Sequence, residues 1–259
     1  MKRFMLEQKI RLASPAKIAA IATCMIGAVL TAPAAWAGFQ TVDLSGIVNA
    51  PFSGEINGST FPTGNQTYNG VPFDIANVSI PGAGSNNFWT GGGSPSAAAG
   101  TYSATLTFSN ILNVTNVYSM INTLLGTTST NPTPLSITFN AGNGGASYTK
   151  DLVGNVDVRD YNLLYLNTIN GTTTTQAFAN GNGQVLDMQD YALPSYFLTD
   201  GLAGITLTED GASGYEKAMF NALTLQTAPV PEPTDAALMA AGLMLLALRL
   251  RKRENQNVA

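Results

Sequence analysis

The sequence predicts an all-β body, an antiparallel β-sandwich or jelly roll, with an N-terminal signal helix and a C-terminal single transmembrane helix. Three observations predict it. Apolar residues alternate with Ser and Thr at period two, as in Tyr102, Ala104, Leu106 and Phe108 against Ser103, Thr105 and Thr107. The same pattern runs through Leu135, Ile137 and Phe139, through Ile205 and Leu207, and through Leu223 and Leu225. Such alternation turns one face of a strand to the core and the other to water. Second, Asn/Gly turn signals separate the runs: Asn57-Gly58, Asn69-Gly70, Asn143-Gly144-Gly145, Asn170-Gly171, Asn180 to Gly183 and Asp210-Gly211. Third, the two long apolar segments lie at the chain ends, outside this alternating region.

Residues 1–37 read as a signal peptide. Lys2, Arg3, Lys9, Arg11 and Lys17 form a basic start, Ile18 to Ala35 an apolar stretch, and Ala35-Trp36-Ala37 a small-residue cleavage site before Gly38. The alternative is an uncleaved first transmembrane helix. Cys24 is the chain's single cysteine and leaves with this segment, so the exported body carries no disulfide.

The body spans 38–227, about 190 residues, enough for one domain with a sizeable core. The stretch Ile111, Val114, Val117, Tyr118, Ile121, Leu124 and Leu125 fits helical spacing as well as strand chemistry. It predicts a strand followed by a short helical turn ending at Gly126. Gly91 to Ser96 and Thr127 to Pro134 are expected as mobile loops. Twelve acids against three bases (Lys150, Arg159 and Lys217) leave the body near −9. That balance excludes a nucleic-acid partner, which needs a basic footprint, and suits neutral glycans or cations.

Residues 228–235 form a linker, 236–250 a short transmembrane segment, and 251–259 a basic cytoplasmic tail. The linker holds Val230-Pro231-Glu232-Pro233, an extended stretch because proline disfavours helix in the residue before it. Arg249, Arg251, Lys252 and Arg253 stop the span on the cytoplasmic side. An ordinary tail anchor has the same parts. The combination of Val-Pro-Glu-Pro, short span and basic cluster resembles the PEP-CTERM sorting signal of Gram-negative bacteria. The resemblance covers Val230 to Arg253. It implies signal peptidase and an exosortase as processing partners, a transient inner-membrane anchor, and release to the cell surface or extracellular matrix. Cargo of that family is commonly linked to exopolysaccharide and biofilm.

Within the body, Asn69-Gly70-Val71-Pro72-Phe73, Val117 to Thr123 and Val156 to Asn162 loosely resemble exported jelly rolls of galactose-binding-like topology. This implies a sandwich and, by analogy, glycan contact.

The chain has no histidine, which removes Ser-His-Asp and Cys-His catalysis and His-ligated metals. It also lacks a phosphate loop and a dinucleotide fingerprint. One near-repeat stands out: Val156-Asp157-Val158-Arg159-Asp160-Tyr161 and Leu186-Asp187-Met188-Gln189-Asp190-Tyr191. Three readings remain open. The copies are equivalent strands whose aspartates cap turn N–H groups; or Asp157, Asp160, Asp187 and Asp190 hold a structural calcium ion; or Asp157 and Asp187 form a glycosidase pair. Arg159, between Asp157 and Asp160, is expected in a local ion pair or as a fork for sugar hydroxyls. Trp89, the only tryptophan of the mature body, is either core or a platform for a sugar ring. Tyr161 and Tyr191 carry the same two readings.

The expected function is that of an exported, non-catalytic surface or extracellular-matrix protein associated with exopolysaccharide. No cofactor is expected beyond the calcium alternative. A structural or adhesive protein with protein partners, and a secreted carboxylate-dependent enzyme acting on glycans, are the alternatives.

Overall fold

The computed structural model describes residues 38–55, 61–82, 84–94, 96–98, 100–124, 135–211, 217–229, 240, 242–247 and 249. The compact body runs from Ala37 to Pro229. Its elements are β1 (Gly38–Thr41), α1 (Phe52–Glu55), β2 (Gly64–Tyr68), β3 (Val71–Ile75), β4 (Val78–Ile80) and β5 (Gly84–Asn86). A 3-10 turn (Gly91–Gly93), β6 (Gly100–Ile111), β7 (Val114–Leu124), β8 (Leu135–Ala141) and β9 (Tyr148–Leu152) follow. The body closes with β10 (Thr174–Ala179), β11 (Val185–Ala192), α2 (Phe197–Asp200), β12 (Leu202–Gly211) and β13 (Lys217–Thr227).

All pairing between these strands is antiparallel. One sheet has the order β1-β13-β7-β11-β10 and a second the order β6-β12-β8-β9; β2-β3 and β4-β5 are two-stranded. The second sheet shows the alternation the sequence predicts. Leu135, Ile137 and Phe139 of β8 and Ile205 and Leu207 of β12 are buried. Its other face carries rows of hydroxyls, with Ser103 opposite Thr208, Thr105 opposite Thr206 and Thr138 opposite Thr149, each pair about 3 Å apart in the range expected of hydroxyl hydrogen bonds. Leu106 and Phe108 of β6 are only partly buried, because β6 is the edge strand of this sheet.

The central strands of the five-stranded sheet, β13, β7 and β11, are buried on both faces. One face shares a core with the second sheet, through Val117 and Ile121 of β7, Leu223 and Leu225 of β13, and Ile137, Phe139, Ile205 and Leu207 opposite. The other face packs Met120, Leu124, Leu186 and Met219 against Phe52, Phe73, Ile75 and Phe88. This double burial explains the expectation that fails. The stretch through Leu124 carries no helical turn; it is one continuous strand between two partners, β13 and β11. A strand buried on both sides loses its period-two signature, so its apolar residues also fit helical spacing.

The turn chemistry holds in several places. Asn69 (φ 51) and Gly70 (φ 82) join β2 to β3 as a two-residue hairpin with both central residues left-handed, the geometry that suits strand twist. Asn143 (φ 50) and Gly144 (φ 79) lie between β8 and β9. Asp210-Gly211, expected as a turn, instead ends β12, paired to Thr101 and Gly100. Gly91, expected in a mobile loop, is a buried corner. Asn57-Gly58, Thr127 to Pro134 and the end of the stretch at Leu125-Gly126 lie outside the described residues.

Gly38 opens β1 opposite Thr227 of β13. Ala35, Ala37, Val230, Pro231, Glu232, Pro233, Arg251, Lys252 and Arg253 lie outside the described residues. Of 236–250, residues 240, 242–247 and 249 are described; they are helical and exposed, Arg249 included. Among the described residues no helix is long and apolar enough to cross a membrane.

Candidate functional site

Both copies of the Asp-rich near-repeat lie in one region of the body, but they are not equivalent strands. The second copy is β11, inside the five-stranded sheet. The first is a looped segment. Val153 accepts hydrogen bonds from the backbone N–H groups of Asp157 (2.7 Å) and Val158 (3.2 Å), and Asp160 bridges to Thr123 of β7. Equal sequence patterns take different shapes here because only the second copy has sheet neighbours on both sides, β7 and β10.

Arg159 does not pair with its chain neighbours. It reaches across to Asp187 of the other copy and is itself only 8% exposed. Its Nε donates to Oδ2 (2.8 Å) and its terminal nitrogen to Oδ1 (2.7 Å), with a further bond to Gln176 Oε1 at 2.9 Å. Asn122 completes the cage, donating to Asp187 Oδ2 (2.8 Å) and accepting from the Asp187 backbone N–H at 2.9 Å. Burial pushes the Asp187 carboxyl above its ordinary range, while the hydrogen bonds and charge of Arg159 pull against it. With both oxygens held and no exposed surface, Asp187 faces no substrate, so its pairing with Asp157 as two glycosidase carboxylates is not assembled.

The remaining aspartates are each engaged elsewhere. Asp157 Oδ2 accepts from the Val153 N–H (3.1 Å) and lies 3.4 Å from Lys150 Nζ. Asp160 accepts from the Asn162 N–H at 3.1 Å, a local Asx turn. Asp190 accepts from Asn116 at 2.8 Å. Among the described residues, no group of three or more acidic, cysteine or histidine side chains is placed to hold a metal ion. The calcium reading therefore loses its ligand set; the turn-capping reading describes Asp157 and Asp160, not Asp187 or Asp190.

Of the aromatic candidates, Trp89 and Tyr161 are each 5% exposed and belong to the two cores. The Trp89 backbone pairs with Phe220 of β13, which fixes the ring inside the body. Rings buried in this way present no open face to a sugar. Tyr191 is also largely buried, yet it borders a cleft that does open to solvent.

This cleft, of 270 Å³, lies where the β9 edge of one sheet faces β10 and β11 of the other. Tyr148 and Lys150 line it from β9; Asp157, Thr173 and Thr174 line it below; Gln189, Asp190 and Tyr191 line it from β11. Its base is tightly bonded. Gln189 Oε1 accepts from Ser119 Oγ (2.9 Å) and the Ile121 N–H (3.0 Å), its amide donates to Ile121 O (2.8 Å), and Thr174 Oγ1 donates to Asp157 O (2.9 Å). Tyr148 stacks on Phe139 at 5.9 Å, and Tyr191 tilts against the same ring at 5.4 Å. Burial drives the Tyr191 phenol well above its ordinary range, which keeps it protonated. Lys150, with 40% of its side chain exposed, supplies the cleft with a solvent-accessible cation.

Sequence reading misses Tyr148 and Lys150. The signal is the alternation Tyr148, Lys150, Leu152 against Thr149 and Asp151, whose first set turns inward. It also misses Glu209, which continues the core-facing series Ile205 and Leu207 on β12 and is fully buried. Compared with known proteins, the chain matches no family model, no curated protein and no solved structure.

Proposed function

We propose that this chain is an exported, non-catalytic protein of the cell surface or extracellular matrix that contacts exopolysaccharide through the cleft between β9 and β11. The cleft is the observation that carries the reading. It is the place where an aromatic face, a cation and fixed carboxylates and amides meet at an opening to solvent. A sugar needs that combination: a ring packs its C–H face on Tyr148, Lys150 donates to hydroxyl oxygens, and Asp157 accepts from a hydroxyl. The volume sits just below the roughly 300–1,000 Å³ of ordinary ligand sites, so the cleft takes one residue of a chain. The body's acidic balance favours a neutral glycan over an anionic one.

In this reading the finer fold is a β-sandwich of the jelly-roll kind with galactose-binding-like topology, supported by the shared core of the two main sheets. Export follows from Ala35-Trp36-Ala37 and sorting from the PEP-CTERM-like tail, with an exosortase as processing enzyme. The compact body, Ala37 to Pro229, falls between the two signals, which supports their removal without loss of the fold.

Two measurements test this. Intact-mass analysis of the secreted protein is expected to give a chain beginning at Gly38 and ending near Thr234; a secreted form that keeps residues 236–250 contradicts the sorting claim. A glycan array that includes polysaccharide from the producing cell is expected to retain the protein and to retain Lys150→Ala less. Retention of other matrix proteins with no glycan signal would favour the adhesive reading.

A further inference from the structure

Away from the cleft, the body holds a second and different charged pair. Glu209 of β12 and Lys217 of β13 have no exposed side-chain surface, and Lys217 Nζ lies 2.9 Å from Glu209 Oε1. The two strands belong to different sheets. The other carboxyl oxygen, Oε2, accepts two backbone hydrogen bonds, from the N–H of Gly91 (3.1 Å) and of Ala218 (2.8 Å). Among the described residues, neither Oε1 nor Nζ has a hydrogen-bond partner, and their own contact lacks hydrogen-bond alignment. The Tyr102 ring covers the amine, with Nζ 4.6 Å from its centroid. Gly91 lets the carboxyl approach the backbone: a Cβ there would collide with Oε1 and with the Tyr102 ring.

We propose that Glu209 and Lys217 condense into an intramolecular amide, a covalent cross-link between β12 and β13. The chemistry balances without any other reagent. One proton passes from the ammonium of Lys217 to Oε1, which frees the nitrogen lone pair. Nζ attacks Cδ, and negative charge develops on Oε2, where the Gly91 and Ala218 N–H groups already point. Paired backbone donors aimed at such an oxygen are what stabilise tetrahedral intermediates of acyl transfer. A second proton moves from Nζ to Oε1, the Cδ–Oε1 bond breaks, and Oε1 leaves as water. The product keeps one hydrogen on Nζ, and Oε2 becomes an amide oxygen with the same two donors. Fixed placement of amine and carboxyl replaces a bimolecular encounter. The buried setting excludes the water that the reverse reaction needs. No part of this rests on glycan binding or on the sorting signal.

The test is mass spectrometry of the purified protein after denaturation and digestion with a protease that cuts after glutamate. Cleavage after Glu216 severs the chain between the two residues. The expected result is that the peptide containing Glu209 and the peptide beginning at Lys217 stay joined, and that together they lack the mass of one water. In Lys217→Met and in Glu209→Ala the two peptides are expected to separate at full mass. Two separate full-mass peptides from the wild type overturn the proposal, whatever the variants do. A water loss confined to the peptide of residues 210–216, as a ring closure at Asp210-Gly211 would give, overturns it as well.

Discussion

Arg159–Asp187 and Lys217–Glu209 are both ion pairs withdrawn from water, but their surroundings differ completely. The arginine pair is densely hydrogen-bonded. Two parallel bonds join guanidinium to carboxylate, Gln176 accepts a further hydrogen bond from the guanidinium, and Asn122 donates to the carboxylate. The lysine pair is bare: two backbone N–H groups hold one carboxyl oxygen, and an aromatic ring covers the amine. A planar fork held by two parallel bonds has no lone pair to offer and no reason to move. A primary amine pressed against a half-satisfied carboxyl has both. The first arrangement fixes the two copies of the near-repeat beneath the cleft; the second sits between strands of the two sheets with the atoms of an amide already gathered.

The largest effect expected from this contrast is in Arg159→Ala, which leaves Asp187 buried and unpaired and should lose about 3–5 kcal/mol in a denaturant titration. Phe139→Ala comes next to it, also at about 3–5 kcal/mol, because the ring fills the core and supports both Tyr148 and Tyr191. The double variants sharpen the comparison. Arg159→Met with Asp187→Leu should restore most of the lost stability, since well-packed apolar residues commonly replace a buried pair at about no net cost. Glu209→Leu with Lys217→Met should remain about 2–3 kcal/mol below the wild type, the entropy of a short closed loop that its covalent tie no longer restrains. Equal behaviour of the two double variants would erase the distinction.

Much of the four-stranded sheet was legible in the sequence, for a physical reason. Its outer face is in water, so β6, β8 and β12 alternate strictly and their core residues announce themselves. The centre of the five-stranded sheet is covered on both faces, and β7 reads as ambiguous for that reason alone. The near-repeat was legible as a feature but not as a structure. Nothing local tells Arg159 to prefer Asp187 over Asp157 or Asp160; the choice is made by β10 and β7, which bring Gln176 to the guanidinium and Asn122 to the carboxylate. Trp89 stands out in the sequence for its size and its glycine-rich neighbours, yet that size is satisfied by burial against β13. Tyr148 and Lys150 are hard to read from the sequence because their strand is short and one of its inward residues is charged.

The smallest predicted effect is on alkaline stability. Burial holds the Tyr191 phenol above the value it has in the unfolded chain, so its contribution to stability is complete below an ordinary tyrosine pKa of about 10 and is lost as pH rises past it. Wild-type protein should therefore lose up to about 1.4 kcal/mol per pH unit more than Tyr191→Phe in that range, where the unfolded chain ionises and the folded one does not. Parallel melting curves for the two proteins above that pH would place the phenol in contact with water.

Polysaccharide contact at the cleft is tested most directly by affinity electrophoresis through gels cast with the producing cell's own matrix polysaccharide. Wild-type protein should be retarded, Tyr148→Ala and Lys150→Ala much less so, and Thr105→Ala with Thr206→Ala, on the hydroxyl-rich outer face, as much as the wild type. Loss of retardation in the threonine variant with none in Tyr148→Ala or Lys150→Ala would contradict the assignment and move the contact to the opposite face of the body.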